Sequence, residues 1–224
     1  MKKFFTLWMI LLPCSAEEVL HYSINWPSSL SLGEARLESR PFSSGKDAMA
    51  HYEFNFLLDA AVPGFTVSDQ FKSIASRQHC SSEFEKQMQH GQKKTSEVVT
   101  FQPEAGIAVR QSTGGGKSNI KVGTCAKDAL TYLQWLRTEL AQGRIPPPQT
   151  IIFGAAYRLT LKFGSTLDLP LANKRIKADR FEVNLKGPAS ENNFEVFFDR
   201  EPDRKLVLVK VPLVIGSFSM ELTD

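Results

Sequence analysis

The chain has 224 residues, of which 42% are hydrophobic and 23% charged, and a formal net charge of +3. That length allows one large β domain or two small ones. The small charge, with no basic run longer than two residues such as Lys93-Lys94, gives no reason to assign a nucleic-acid partner, because phosphate binding needs a concentrated basic patch.

The N-terminus reads as a secretory signal peptide over residues 1–16. Lys2 and Lys3 supply the positive start, Phe4 to Leu12 the apolar stretch, and Pro13 and Ala16 the helix break and the small residue at the cut. The stretch is too short to span a bilayer. A lipidated Cys14 is the alternative, and Pro13 is a poor residue to precede such a cysteine. Cleavage after Ala16 leaves residues 17–224 as a single β-rich exported domain, located in the periplasm or cell envelope. Basic residues then fall from 27 to 25 against 24 acidic ones, so the mature charge is about +1.

Period-two alternation dominates the mature chain, and each run predicts a strand with one face on a core and one on water. Leu20, Tyr22, Ile24 and Trp26 alternate with His21, Ser23 and Asn25. The next strands are expected at 30–39, 47–58 and 65–76. Gly33 stands where the apolar parity shifts from Leu30 and Leu32 to Ala35 and Leu37, the mark of a bulge. Strands at 95–101 and 106–111 follow. Phe54, Phe56, Phe65, Phe71, Phe197 and Phe198 are core candidates that a binding groove could also use.

Cys80 and Cys125 are the two cysteines left after signal removal. An even pair in an oxidising compartment suggests a disulfide. Free buried thiols and a metal or redox site with His79 or His90 remain open, although the spacing matches no recurrent zinc pattern. Gly114-Gly115-Gly116-Lys117-Ser118 has the ending of a phosphate-binding loop, but Gln111 stands where that loop requires glycine. It reads as a hairpin turn before a strand with Ile120 and Val122.

One segment changes period. Ala126, Ala129, Leu130, Leu133, Leu136 and Leu140 recur at helical spacing over 126–142, with Thr124 to cap the start, Asp128 to suit the dipole and Gly143 to end it. Trp135 falls outside the apolar arc. A helix lying on a flat sheet would not need an apolar residue there, whereas one wrapped by a curved sheet would. After the stiff connector Pro146-Pro147-Pro148, strands return at 157–163, 181–185, 194–198, 205–211 and 218–222. The expected fold is therefore mainly β, a strongly curved antiparallel sheet or open barrel with one amphipathic helix packed on its concave side.

No catalytic constellation stands out. His21, His51, His79 and His90 form no metal-binding pair, and there is no nucleophile elbow. No catalytic residue, metal ligand or cofactor is assigned. The expected function is a non-enzymatic envelope protein that binds a lipid, glycolipid or other apolar ligand, with Leu130, Leu133, Leu136, Leu140 and Trp135 as ligand-facing helix residues. The alternative is a structural module that holds other envelope proteins by its sheet edges.

Several stretches resemble a known family: LHYSINWPSSLSLGEA (20–35), LDAAVPGFTVSDQFKSIAS (58–76), CSSEFEKQMQHGQKKTSE (80–97), ADRFEVNLKGPASENNFEVFFD (178–199) and VPLVIGSFSMEL (211–222). They are similar to the exported bacterial family called domain of unknown function 3108, across nearly the whole mature chain. The resemblance implies an envelope location and a mostly antiparallel β fold, and it brings no functional residues. In outline the chain also resembles the half-barrel lipoprotein carriers of the periplasm, from which it departs in having a single clear helix.

Overall fold

The structure, a computed structural model, describes residues 17–26, 30–42, 51–62, 64–171, 174–213 and 216–223. The signal segment 1–16 with Cys14, and the first residues of the strand expected at 47–58, lie outside the described residues. The first half of the chain forms β1 (Glu18–Asn25), β2 (Ser31–Phe42), β3 (His51–Val62), β4 (Phe65–Ser76), β5 (Ser81–His90), β6 (Lys93–Gln102), β7 (Ile107–Ser112) and β8 (Lys117–Lys121). A two-residue strand, β9 (Lys127–Asp128), then leads directly into α1 (Ala129–Ala141). The second half forms β10 (Gln149–Ile152), β11 (Ala156–Leu171), β12 (Lys174–Lys186), β13 (Glu191–Asp199), β14 (Leu206–Leu213) and β15 (Gly216–Leu222).

All fifteen described strands belong to one sheet, in the order β8-β7-β6-β5-β4-β3-β2-β1-β15-β14-β13-β12-β11-β10-β9. Every neighbour pair is antiparallel except β9 and β10, which are parallel and joined by α1. The N-terminal and C-terminal strands pair in the middle, with Tyr22 opposite Leu222.

The order also dictates curvature. β8 and β9 are the two ends of the sheet, yet only residues 122–126 separate them in sequence. So short a connection spans at most about 20 Å, so the sheet must curl until its ends approach. The Ser81 N–H at the start of β5 donates to the Ala126 carbonyl at 2.9 Å. The Cys80–Cys125 disulfide lies beside that bond, with Cα atoms 4.7 Å apart. The tip between β10 and β11 reaches the same wall, where Phe153 meets Phe71 and Phe84 with ring centroids 5.1 and 5.7 Å apart.

The expected alternation is present: Leu20, Tyr22, Ile24, Leu159, Leu161, Phe181 and Val183 are buried. The bulge expected near Gly33 is real. Ile24 faces Gly33 and Asn25 faces Ser31, which leaves Leu32 as the extra residue. Gly33 has a second reason to lack a side chain, since a Cβ would meet the Asp59 carbonyl oxygen at 2.0 Å. Phe163 keeps its parity, standing opposite Phe181 with ring centroids 5.7 Å apart, yet it is 43% exposed beside the register shift between Phe163 and Ser165. Of the six phenylalanines, Phe54, Phe197 and Phe198 are buried, Phe56 and Phe71 pack on the core, and Phe65 is exposed. The glycine-rich stretch is a hairpin turn between β7 and β8, with Gly115 at φ +82° and Ser112 N–H donating to Gly116.

The helix begins later than its apolar spacing suggests. Ala126 precedes β9, outside the helix, and the N-cap is Asp128 rather than Thr124, because the Asp128 carboxyl accepts from the N–H groups of Leu130 and Thr131. It ends as expected at Gly143, which adopts φ +72°. There the Gly143 N–H bonds Leu140 and the Arg144 N–H bonds Glu139, a Schellman closure.

Candidate functional site

The helix is enclosed almost all round, by two chemically different surfaces. One is a polar line at three-residue spacing: Asp128, Thr131, Gln134 and Arg137, all buried. Each step of three turns the side chain back by about 60°, so successive members are neighbours while the line as a whole winds half-way round the helix. Asp128 is fully buried, and its Oδ2 lies 2.6 Å from both Ser73 Oγ and Ser81 Oγ and 2.9 Å from Thr131 Oγ1. Ser73 Oγ is also 2.7 Å from Thr131 Oγ1. The three hydroxyls bring three protons to four contacts, so either one contact carries no hydrogen bond or the carboxyl supplies the fourth proton. Burial favours the second, pushing the Asp128 carboxyl above its ordinary range against the hydrogen bonds from Ser73, Ser81 and Thr131.

At the other end of that line, Arg137 makes a fork with Glu18 of β1, Nη1 to Oε2 at 2.6 Å and Nη2 to Oε1 at 2.9 Å. It also donates to Gln134 Oε1 at 2.8 Å and to the Asp203 carbonyl at 3.1 Å. An open cleft of about 730 Å³ lies beside these groups, lined also by Tyr52, Phe54 and His79. It is the larger hollow, but its guanidinium is already satisfied. His79 there has its imidazole held below the ordinary range, by burial first and by Lys127 second, and its ring stacks on Tyr52 and Phe54.

The second surface is apolar. Between α1 and the wall formed by β10 to β14 lies a cavity of about 290 Å³. Tyr132, Leu133 and Leu136 face it from the helix, and Leu161, Val196 and Phe198 from the opposite strands. Every other lining side chain is aliphatic or phenylalanine, so Tyr132 is the single lining residue with a polar side-chain atom. The helix packs closely on the opposite wall, with Cα atoms within 8 Å of β3 and β4. The helix also approaches β10, and Leu140 packs with Phe181 and Phe198, so the cavity separates it from the second wall over only part of its length.

The sequence-predicted helix residues divide between these surfaces. Leu133 and Leu136 line the cavity; Leu130 packs into the core shared with β1 to β7, and Leu140 into the core around Phe181 and Phe198. Trp135 is half-buried beside Tyr132, ring centroids 5.6 Å apart, with the Lys127 ammonium 4.7 Å from its ring. Sequence reasoning missed the polar line. Its signal was the run Asp128, Thr131, Gln134, Arg137 in steps of three, inside a segment read only for its leucines. Among the described residues no cluster of His, Cys, Asp or Glu has the arrangement of a metal site. His90 instead bonds Asp69, Nε2 to Oδ1 at 2.9 Å.

A family model described as a protein of unknown function, DUF3108, matches residues 21–223. The chain belongs to the DUF3108 family. No curated protein matches it. Among solved structures, this DUF3108 chain is similar to a β-barrel-like protein of domain of unknown function DUF1849 from Brucella abortus, with a TM-score of 0.59 at 11% identity, over 92% of this chain and 95% of that one. A Bacteroides fragilis protein with a YmcC-like fold aligns at a TM-score of 0.40 and 9% identity, over 92% and 93%. At such identities the first likeness speaks for the fold of the DUF3108 chain, a β-barrel-like curved sheet, and function must come from the site.

Proposed function

We propose that this DUF3108 protein is a non-enzymatic, exported envelope protein that holds an apolar ligand, such as a lipid chain, between α1 and the β10–β14 wall. The observation that carries this reading is the 290 Å³ cavity, walled by aliphatic and aromatic side chains in the middle of a fold that encloses its only described helix. An empty apolar cavity forfeits dispersion contacts on both walls, and a ligand that fills it restores them. The space is part open, so an apolar guest can enter it and remove its apolar walls from water. The Cys80–Cys125 disulfide supports an oxidising compartment, and so export. No described helix is long and apolar enough to cross a membrane.

Holding partner proteins by a sheet edge has less support. The β8 edge carries Lys117 and Lys121, residues that discourage strand addition, and the β9 end is occupied by its contact with β5.

The test is native mass spectrometry of delipidated protein after incubation with an envelope lipid extract. A defined lipid mass bound to the wild type and lost in Leu133→Trp supports the reading. Absence of any adduct, or an adduct indifferent to that substitution, counts against it.

A further inference from the structure

Tyr132 is 4% exposed and lines the apolar cavity, yet its hydroxyl has no hydrogen-bond partner among the described residues. The oxygen is not among the sealed, partnerless polar atoms of the described residues, so it opens onto the adjoining space, where an acceptor carried by a guest can meet it. The same protein pairs its other deeply buried tyrosine: Tyr22 is 1% exposed and donates to the Leu206 carbonyl at 3.0 Å. Unlike Tyr22, Tyr132 offers its hydroxyl to a space rather than to an acceptor of the chain.

We infer that the cavity takes a single acyl chain bearing a neutral oxygen function, an ester, whose carbonyl accepts the Tyr132 hydroxyl proton. This rests on the reading of the cavity as an apolar ligand site. Burial holds the phenol well above its ordinary range, so it is a donor at every physiological pH. No charged side chain lines the cavity, and Lys127 is engaged over Trp135. An ionised carboxylate would lose its hydration there with one phenol as compensation, which disfavours free fatty acids. The volume is at the small end of ligand pockets, which run from about 300 to 1,000 Å³, and suits one chain rather than a two-chain lipid.

Three nine-carbon probes test this by displacing a fluorescent apolar dye from delipidated protein: nonane, methyl octanoate and nonanoate. In the wild type the ester is preferred and nonanoate is weakest. In Tyr132→Phe, which keeps the ring and removes only the hydroxyl, the ester-over-nonane preference falls about tenfold, the worth of one neutral hydrogen bond, while nonane binding is unchanged. A preference unaltered by that substitution overturns the assignment to Tyr132, and nonanoate binding tighter than the ester overturns the neutral ligand. Failure of all three probes to displace the dye from either protein instead overturns the cavity as a binding site. Infrared spectra of bound methyl octanoate read the contact without a variant: a carbonyl band at the hydrogen-bonded position is expected, and one at the free position defeats the proposal.

Discussion

The hydroxyl of Ser81 donates to the Asp128 carboxylate at 2.6 Å and accepts the Asp128 N–H at 2.8 Å, tying the first residue of β5 to the last residue of β9. One side chain thereby caps the helix and joins the returning end of the sheet to its middle. Asp128→Ala removes the cap and strands three hydroxyls, so a loss of about 3–5 kcal/mol is expected in urea unfolding. Asp128→Asn keeps the cap oxygen and presents an N–H₂ group to hydroxyls that can rotate to accept. It should cost no more than about 1.5 kcal/mol. A loss in Asp128→Asn as large as in Asp128→Ala would mean that Asp128 is ionised.

The same group sets a pH dependence. With its native carboxyl raised by burial, Asp128 keeps a proton that the unfolded chain releases in the ordinary aspartate range. The folded state then binds more protons than the unfolded one, so this contribution to stability falls as pH rises from that range to the raised native value, and is level above it. Glu53 and Glu97 act in the opposite sense. Burial opposes their ionisation too, but hydrogen bonds from Asn55 and Arg40 to the one, and from Arg110 and Lys86 to the other, leave both below their ordinary range. Subtracting the urea-midpoint profile of Asp128→Asn from that of the wild type isolates Asp128. A difference that is flat with pH, or that grows as pH rises, would contradict the neutral acid.

The disulfide closes the same seam from outside. Cys125 is exposed and Cys80 half-buried, so a reductant reaches the bond without unfolding the core. The residues lie 45 apart in sequence, and closing a loop of that size is worth about 4 kcal/mol at most. Non-reducing mass mapping should join the two cysteines. Cys80→Ser with Cys125→Ser should lower the urea midpoint and leave the circular dichroism spectrum unchanged, since Ser81, Ala126 and Asp128 still hold the edge. Loss of β structure in that variant would show that the hydrogen bonds alone do not close the sheet.

How far the sequence disclosed this fold depends on which face of each element carried the signal. Strands with one clean apolar face, such as Leu20-Tyr22-Ile24 and Phe181-Val183-Leu185, were legible, and so were the curvature and the enclosed helix. β5 was not. Its residues Ser81, Glu83, Glu85 and Lys86 show no apolar alternation: Phe84 meets Phe153, but Ser81 bonds Asp128 and the Lys86 ammonium lies 4.7 Å from the Phe153 ring. β10 was too short for a period to show. The cavity was legible only as a list of helix leucines, of which two face it. Which leucines do so is decided by the wall that holds the helix, and hence by Thr131, Gln134 and Arg137, which the apolar spacing does not include.

Arg137 provides a test of that wall. It is 6% exposed, and its fork to Glu18 is the ion pair that joins α1 to β1. Arg137→Ala leaves the Glu18 carboxylate, the Gln134 amide oxygen and the Asp203 carbonyl short of donors. A loss of about 3–5 kcal/mol is expected, as for other broken buried pairs. Removing both charges with Glu18→Gln and Arg137→Met should cost clearly less than Arg137→Ala, because neither partner is left alone. Equal losses in the two variants would show that the pair is solvated and that the helix is held by its other contacts.

A last prediction concerns the cavity without any ligand. Ala129 lines it from the first turn of α1, where alanine and leucine have similar helix propensity. Ala129→Leu places three more carbons where there is empty apolar volume. If that volume accepts them without strain, the ligand-free protein gains about 1–2 kcal/mol from the added burial, and its affinity for an apolar dye falls. Leu136→Ala works the other way: it enlarges the same space, costs about 2–5 kcal/mol and makes room for a bulkier guest. Opposite signs of stability change with opposite changes in dye affinity identify a cavity whose function competes with packing. Should Ala129→Leu instead destabilise the protein by more than about 1 kcal/mol, as overpacking does, the space between α1 and the β10–β14 wall is not available to a ligand.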